Sequence, residues 1–348
     1  CVGGGCISSN ASSEIVELAE RIKAPVASTL MGIGAFPSSH ELYLGMLGQH
    51  GVYAANQAIK EADLLIVLGA RMGDRAVGKP DEFAQGAVIV HIDIDPAEIG
   101  KNIGTNIPIV GDIKATLREL LKKNIDRNDW GWLSVIKKWK MVQQGVGECL
   151  KGLNPMEVLK ELSLQAPKDA VLVTDVGQHQ IWAGRYYPIE QPRTFITSGG
   201  LGTMGYGLPA AIGAKLGQPD KQVLLITGDG SIQMNLSELA TMVQENAAVK
   251  ILLFNNRSLG MVRELQQHQL GERYYQSIMK YNPDFLKLAA AYGIEAFQVK
   301  RRDEIAEGIR RLLESKGPII AEFAIDPMAN VIPFTGGDSS EAYIRRTG

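Results

Sequence analysis

The 348 residues carry 36 Lys and Arg against 38 Asp and Glu, a formal net charge of −2, and 45% of them are hydrophobic. Charges this balanced and interspersed leave no electrostatic basis for binding nucleic acid or an anionic membrane surface, and no apolar run approaches the roughly 20 residues of a spanning helix. The start, Cys1-Val-Gly-Gly-Gly5, has neither the cationic stretch nor the apolar centre of a secretory signal. Three cysteines (Cys1, Cys6, Cys149) without CxxC spacing read as reduced thiols of a cytoplasmic protein. The length suits about two domains.

Strand-like and helix-like segments alternate over residues 1–125. Gly3-Gly4-Gly5 leads to a helix expected over about 12–23, with Asn10 or Ser12 as its cap. A strand at 25–28, a helix at 52–61, strands at 64–68, 87–93 and 107–110, and a helix at 113–123 follow. This alternation predicts a doubly wound α/β domain with a mainly parallel sheet, whose ligands sit at the carboxyl ends of strands. Thr29-Leu30-Met31-Gly32, Gly69-Ala70-Arg71 and Asp93-Ile94-Asp95 fall at such ends. No GxGxxG opens the first helix, so the usual NAD fingerprint is missing. Residues 126–152 read as a polar linker with one helix over 132–144; Trp130, Trp132 and Trp139 are expected to pack, since no basic groove accompanies them.

The α/β pattern resumes in a second doubly wound domain, 153–326, ahead of a Gly- and Ser-rich tail, 327–348. Here a helix at 156–165 precedes a strand at 170–175 that runs into Gly177-Gln-His-Gln180. A lone His after a strand is commonly a satisfied core group, but this one shares a rim with the segment that organises the domain. That segment is Thr227-Gly-Asp-Gly-Ser231, after the apolar run Val223–Ile226 and before a helix at about 236–246. A second apolar strand, 249–254, then ends in Asn255-Asn256. Strand, Gly-rich turn and helix make a phosphate cradle of free backbone N–H groups. The next parallel strand should bring Asn256 near Asp229. One carboxylate, one amide oxygen and a backbone carbonyl suit Mg²⁺ shared with a diphosphate. For GDG alone an ordinary strand–turn–helix is the better reading; NN after a second strand tips it towards metal and diphosphate. No GKS or GKT is present, so a P-loop is excluded. Between these motifs, Ser198–Gly213 holds six glycines and the start of a helix near Leu208. The remaining elements are a helix at 285–292, a strand at 295–299, a helix at 303–314 and a strand at 319–325.

GDG followed by NN resembles the diphosphate-binding signature of thiamine-diphosphate (ThDP) enzymes. In that family Asp229, Asn256 and the Ser258 carbonyl match the Mg²⁺ ligands, while Gly228, Gly230 and Ser231 belong to the diphosphate turn. Gln178 and His179 match a motif touching the diphosphate. Met204 matches the bulky residue that props the cofactor in a bent shape, and the Gly202 carbonyl the acceptor for its amine. The first domain is similar to the middle domain of acetolactate synthases, in the phrases VASTLMGIGAFP, MLGQHG, VHIDIDPAEIGKN and GDI. The resemblance implies FAD against Gly4, Gly5, Thr29, Leu30, Met31, Gly48, His50, Gly69, Arg71, Asp93 and Asp112. Where the family commonly reads RFDDR, this chain reads Arg71-Met-Gly-Asp-Arg75, which keeps both arginines and one Asp but loses an aromatic and an acid.

The resemblance implies acetolactate synthase activity: pyruvate loses CO₂ and joins a second 2-keto acid, on the branched-chain amino-acid or acetoin route. Arg75 matches the arginine that receives the acceptor's carboxylate; a surface Arg paired with Asp74 or Glu82 is the plainer alternative. Met261 matches a substrate-channel residue. Leu265 stands where biosynthetic relatives carry a Trp, which implies weak preference for 2-ketobutyrate, a difference of about 1–3 kcal/mol. The family's activating glutamate belongs to an N-terminal pyrimidine domain that this chain does not match. The expectations are therefore inactivity alone, a homodimer or tetramer, and a possible regulatory small subunit. Other FAD-containing ThDP enzymes (pyruvate oxidase, glyoxylate carboligase) and a non-catalytic cofactor-binding fragment are the competing readings.

Overall fold

The structure, a computed structural model, describes residues 1–125, 131–144, 150 and 152–331. Trp130, Cys149 and the tail from 332 onward lie outside the described residues. The chain divides into two compact units, one built on Cys1–Gly147 with Pro188–Arg193, the other on Glu148–Tyr187 with Thr194–Val331. Among the described residues no helix is long and apolar enough to cross a membrane.

The first unit runs α1 (Gly4–Ser8), α2 (Ser12–Ile22), β1 (Val26–Ser28), β2 (Tyr43–Met46), α3 (Tyr53–Glu61), β3 (Leu64–Leu68), α4 (Asp74–Val77), β4 (Val88–Asp93), β5 (Ile107–Val110), α5 (Ile113–Leu121) and α6 (Trp132–Gln144). Its strands are parallel, β1 pairing with β2 and β3–β4–β5 forming a second group. Val2 joins the two groups through parallel bridges to Ser28 and Leu68. Successive side chains of a strand point to opposite faces. Val26 accordingly packs with Ile15 and Leu18 of α2, and Ala27 with Ala54 and Ala55 of α3 and with Trp139. Helices therefore cover both faces.

Three details depart from expectation. The residues after Gly3 form a helix of their own, and Asn10, at φ 54°, closes it in the left-handed conformation that suits a C-terminal Asn. Asn10 and Ser12 therefore do not cap α2, whose first flanking residue is Ala11, with no side-chain cap. Helix α6, expected in a linker, packs instead on the first unit: Ile136 and Trp139 are buried against the α3 side, and Trp132 lies 5.8 Å from Trp139 between ring centroids.

The second unit runs α7 (Pro155–Gln165), β6 (Val171–Thr174), α8 (Gln178–Tyr186), β7 (Phe195–Ile196), α9 (Gly207–Gly217), β8 (Val223–Gly228), α10 (Glu238–Gln244), β9 (Val249–Asn255), α11 (Gly260–Gln269), α12 (Phe285–Ala291), β10 (Glu295–Val299), α13 (Ile305–Glu314) and β11 (Ile319–Ala324). Asn154 caps α7 through the Met156 N–H (2.9 Å), with Pro155 at the first helical position. The six strands are all parallel in the order β10-β11-β9-β8-β6-β7. Val223 and Leu225 of β8 face a core shared with Leu208, Leu239 and Phe285 of α9, α10 and α12. Leu159, Trp182 and Leu312 of α7, α8 and α13 are buried on the other side. The chain leaves β6 towards β7 on one side and β8 towards β9 on the other. The carboxyl ends of β6 and β8 thus form the switch point where ligands of such sheets bind.

Candidate diphosphate and cation site

Two apolar strands set the site. β8 is buried along its whole length and pairs with β9 in a register that puts Gly228 opposite Phe254. Beyond the last pair the Asp229 N–H donates to the Phe254 carbonyl (3.1 Å), drawing the turn against the end of β9. Asp229 is 1% exposed, and Asn256 and Ser258 are buried with it. A recess with about 510 Å³ of empty space, partly open to solvent, lies over these strand ends. Of the residues expected there, Gln178, His179, Met204, Gly228, Asp229, Gly230, Ser231, Asn256, Ser258 and Met261 border it. Gly202 and Leu265 do not.

Burial raises the Asp229 carboxyl to about 6, against the smaller lowering effect of the Asn282 amide and neighbouring backbone N–H groups. Asn282 donates to its Oδ2 (2.6 Å) and the Gly230 N–H to its Oδ1 (3.1 Å). Among the described residues no Lys or Arg pairs with this carboxylate. A buried acid held only by neutral donors is a place where a cation gains from being bound. No three His, Cys, Asp or Glu cluster among the described residues, so a cation here would draw on one carboxylate with amide and carbonyl oxygens. That is a hard-ion donor set, which Mg²⁺ completes with phosphate oxygens and water.

His179 sits on two glycines. A Cβ on Gly177 would lie 2.7 Å from its Cε1, and one on Gly228 2.9 Å from its Nδ1. Burial drives its pKa down to about 3, with the Asp175 backbone opposing weakly, so the ring is neutral. Its Nε2 is buried without a hydrogen-bond partner. His179 borders the recess, and a polar group bound beside that nitrogen would satisfy it. Gln178 is placed differently: Nε2 donates to Glu264 (2.8 Å) and to the Ala329 carbonyl (3.0 Å), and Oε1 accepts from Asn256 (3.2 Å). Its side-chain donors are therefore committed within the protein.

Residues 175–323 match the family described as "Thiamine pyrophosphate enzyme, C-terminal TPP binding domain", and residues 1–120 match "Thiamine pyrophosphate enzyme, central domain". The chain belongs to the thiamine pyrophosphate enzymes. It is 46% identical to the acetolactate synthase large subunit of Cyanidium caldarium, over 98% of this chain and 60% of that protein. It is 44% identical to the acetolactate synthase large subunit of Lactococcus lactis subsp. lactis (strain IL1403), over 95% and 58%. The probable acetolactate synthase large subunit of Methanocaldococcus jannaschii is also 44% identical, over 95% and 58%. The chain thus spans about three fifths of the length of these relatives.

The central-domain residues expected around FAD gather on the carboxyl rim of the first unit. Thr29, Leu30 and Met31 follow β1, Gly69 and Arg71 follow β3, Asp93 ends β4 and Asp112 follows β5. Several have tasks within the protein. Asp112 caps α5 through the Ala115 N–H (2.9 Å), Thr29 accepts from the Gly32 N–H (3.2 Å), and Asp93 accepts from the Asp95 N–H (3.0 Å). A Cβ on Gly5 would lie 2.8 Å from the Gly69 Cα, and one on Gly48 2.3 Å from the Arg75 carbonyl oxygen. Those glycines are required by backbone packing. Gly4 lies in α1, His50 is buried, and Arg71 is exposed. Arg75 is exposed on α4, donating to Gln49 (3.0 Å) with the Asp74 carboxylate 4.0 Å away; Glu82 pairs with Lys79 instead.

Four site residues were not singled out from the sequence. Asp175, fully buried at the end of β6, accepts from the Gly205 N–H (2.8 Å), and Asn235 donates to the Gly205 carbonyl (2.8 Å). Together they clamp the loop that carries Met204. Asn282 and Glu264 are the others. A lone acid closing an apolar strand was a readable signal for Asp175. Asn282 lies 53 residues beyond Asp229, and nothing local marks it.

Proposed function

We propose that this chain carries the cofactor diphosphate site of an acetolactate synthase. The observation that carries the reading is the buried Asp229 beside Asn256 on adjacent parallel strand ends, bordering a glycine-lined recess. Asp229, Asn256 and the Ser258 carbonyl would hold Mg²⁺; the Gly228–Ser231 turn and His179 would face the diphosphate. When bound, ThDP supplies the carbon nucleophile and electron sink by which pyruvate loses CO₂ and joins a second 2-keto acid to give 2-acetolactate. The residues of the chain bind and orient. Met204, half-buried at the recess, backs the cofactor ring, with the Gly202 carbonyl for its amine, and Met261 lines the approach of substrate. Leu265 and Arg75 would act on the acceptor, Leu265 by its small size and Arg75 by its fixed charge. FAD on the first unit, against Gly4, Gly5, Gly48, His50 and the strand-end residues named above, belongs to the same proposal. So do self-association and a small-subunit partner, since the relatives are named large subunits.

Calorimetric titration of the chain with ThDP and Mg²⁺ tests the reading: saturable binding is expected, lost with EDTA and in Asp229→Asn. Product analysis of the complete gene product with pyruvate should yield 2-acetolactate. Absence of Mg²⁺-dependent ThDP binding overturns the site, and oxygen uptake in place of acetolactate overturns the reaction.

A further inference from the structure

Glu264 is an acid in the interior of the second unit. It is 2% exposed on α11, and among the described residues no Lys, Arg or His pairs with it. Its oxygens accept from the Gln178 Nε2 (2.8 Å) and from the Val331 backbone N–H (3.0 Å to each). A carboxylate of this kind is retained at some cost and calls for a reason.

The reason lies in the direction of the bonds. A carboxylate only accepts, and so does the Ala329 carbonyl, so the Gln178 NH₂ must face both. That turns the Gln178 Oε1 towards Asn256, and the Asn256 NH₂ must then face Gln178 (3.2 Å). The Asn256 oxygen, which accepts only from the Ser258 N–H (3.1 Å) among the described residues, keeps a lone pair at the recess that Asp229 also borders. Reversing either amide would set acceptor against acceptor. Gly260 makes room for the junction, since a Cβ there would lie 1.9 Å from the Gln178 Oε1 and 3.0 Å from the Asn256 Nδ2.

We propose that Glu264 is a positioning residue for the cation site, acting through Gln178 to present the Asn256 side-chain oxygen, and not its NH₂, as a ligand. The inference rests on the proposed cation reading of Asp229 and Asn256. Residues that orient metal ligands are commonly worth about 10–100-fold in metal affinity.

The test uses the 348-residue chain with ThDP and Mn²⁺, free Mn²⁺ being read by electron paramagnetic resonance. Glu264→Met should weaken Mn²⁺ binding about tenfold or more. Glu264→Gln, which retains an acceptor for Gln178, should stay within about threefold of the parent, a rescue that loss of packing alone does not produce. Gln178→Met should lose as much as Glu264→Met, and the double variant no more than either, as members of one relay do. If Glu264→Met does not fold, Gln178→Met against Glu264→Gln carries the comparison. Parental Mn²⁺ affinity in folded Glu264→Met, or additive losses in the double variant, overturns the relay and leaves the site standing. Failure of the parent to bind Mn²⁺ with ThDP, or undiminished binding by Asp229→Asn, overturns the site reading and the relay with it.

Discussion

Asp229→Asn separates the structural cost of the site from its purpose. Burial raises this carboxyl from 3.8 to about 6. The folded protein therefore holds the proton more tightly than the unfolded chain does. The group favours folding below about pH 3.8 and loses that contribution as pH rises through about 6, leaving a buried charge at pH 8. At 1.36 kcal/mol per pH unit the swing is about 3 kcal/mol. Asn cannot ionise, so the variant should gain about that much on the parent between pH 4 and pH 8. It offers one acceptor where the carboxylate offers two, to Gly230 and Asn282. At pH 4 the folded parent carries the protonated acid, which like Asn keeps one carbonyl acceptor, so there the two should agree within about 1 kcal/mol. Urea denaturation at each pH, followed by hydrogen–deuterium exchange of peptides from β8 and β9, reads the second unit separately. Adding ThDP and Mg²⁺ at pH 8 should reverse the order, stabilising the parent and not the variant. A pH-independent difference between the two proteins, or a parent that gains on the variant as pH rises without ligand, refutes the argument.

Four further outcomes are expected. Protons compete with the cation for Asp229, so apparent Mg²⁺ affinity in the presence of ThDP should fall towards tenfold per pH unit below about 6, measured by titration between pH 5 and 8. Gly260→Ala forces a methyl onto Gln178 and should cost about 1–3 kcal/mol, whereas Gly213→Ala, in α9 with nothing near its Cβ, should be neutral or stabilising by about 0.5–1 kcal/mol; thermal denaturation distinguishes them. Trp139→Ala should destabilise the first unit by about 3–5 kcal/mol, seen as faster exchange in β1 and α3, if α6 is part of its core. Asp175→Ala removes the acceptor for the Val176 and Gly205 N–H groups, and should weaken ThDP binding while leaving inorganic pyrophosphate binding within about twofold, since pyrophosphate lacks the ring that the Met204 loop is proposed to back.

The sequence by itself determined the alternation of apolar strands and helices, because each strand had to be covered on both faces and each helix on one. It also marked Asp229 and Asn256, since an acid between two glycines and a pair of amides both follow buried strands. These features are local, and a few consecutive residues express them. The register of β8 on β9, which sets Asp229 against the Phe254 carbonyl, was decided only when the strands paired. The same holds for the Asn282 amide on Asp229, the Glu264–Gln178–Asn256 chain of bonds, and the seating of α6 on the first unit. Each joins residues far apart in the chain through contacts whose direction or fit no local pattern carries. Gln178 is the instructive case: its motif placed it at the site, but only the folded neighbourhood showed its donors turned away from the recess and its oxygen turned towards Asn256.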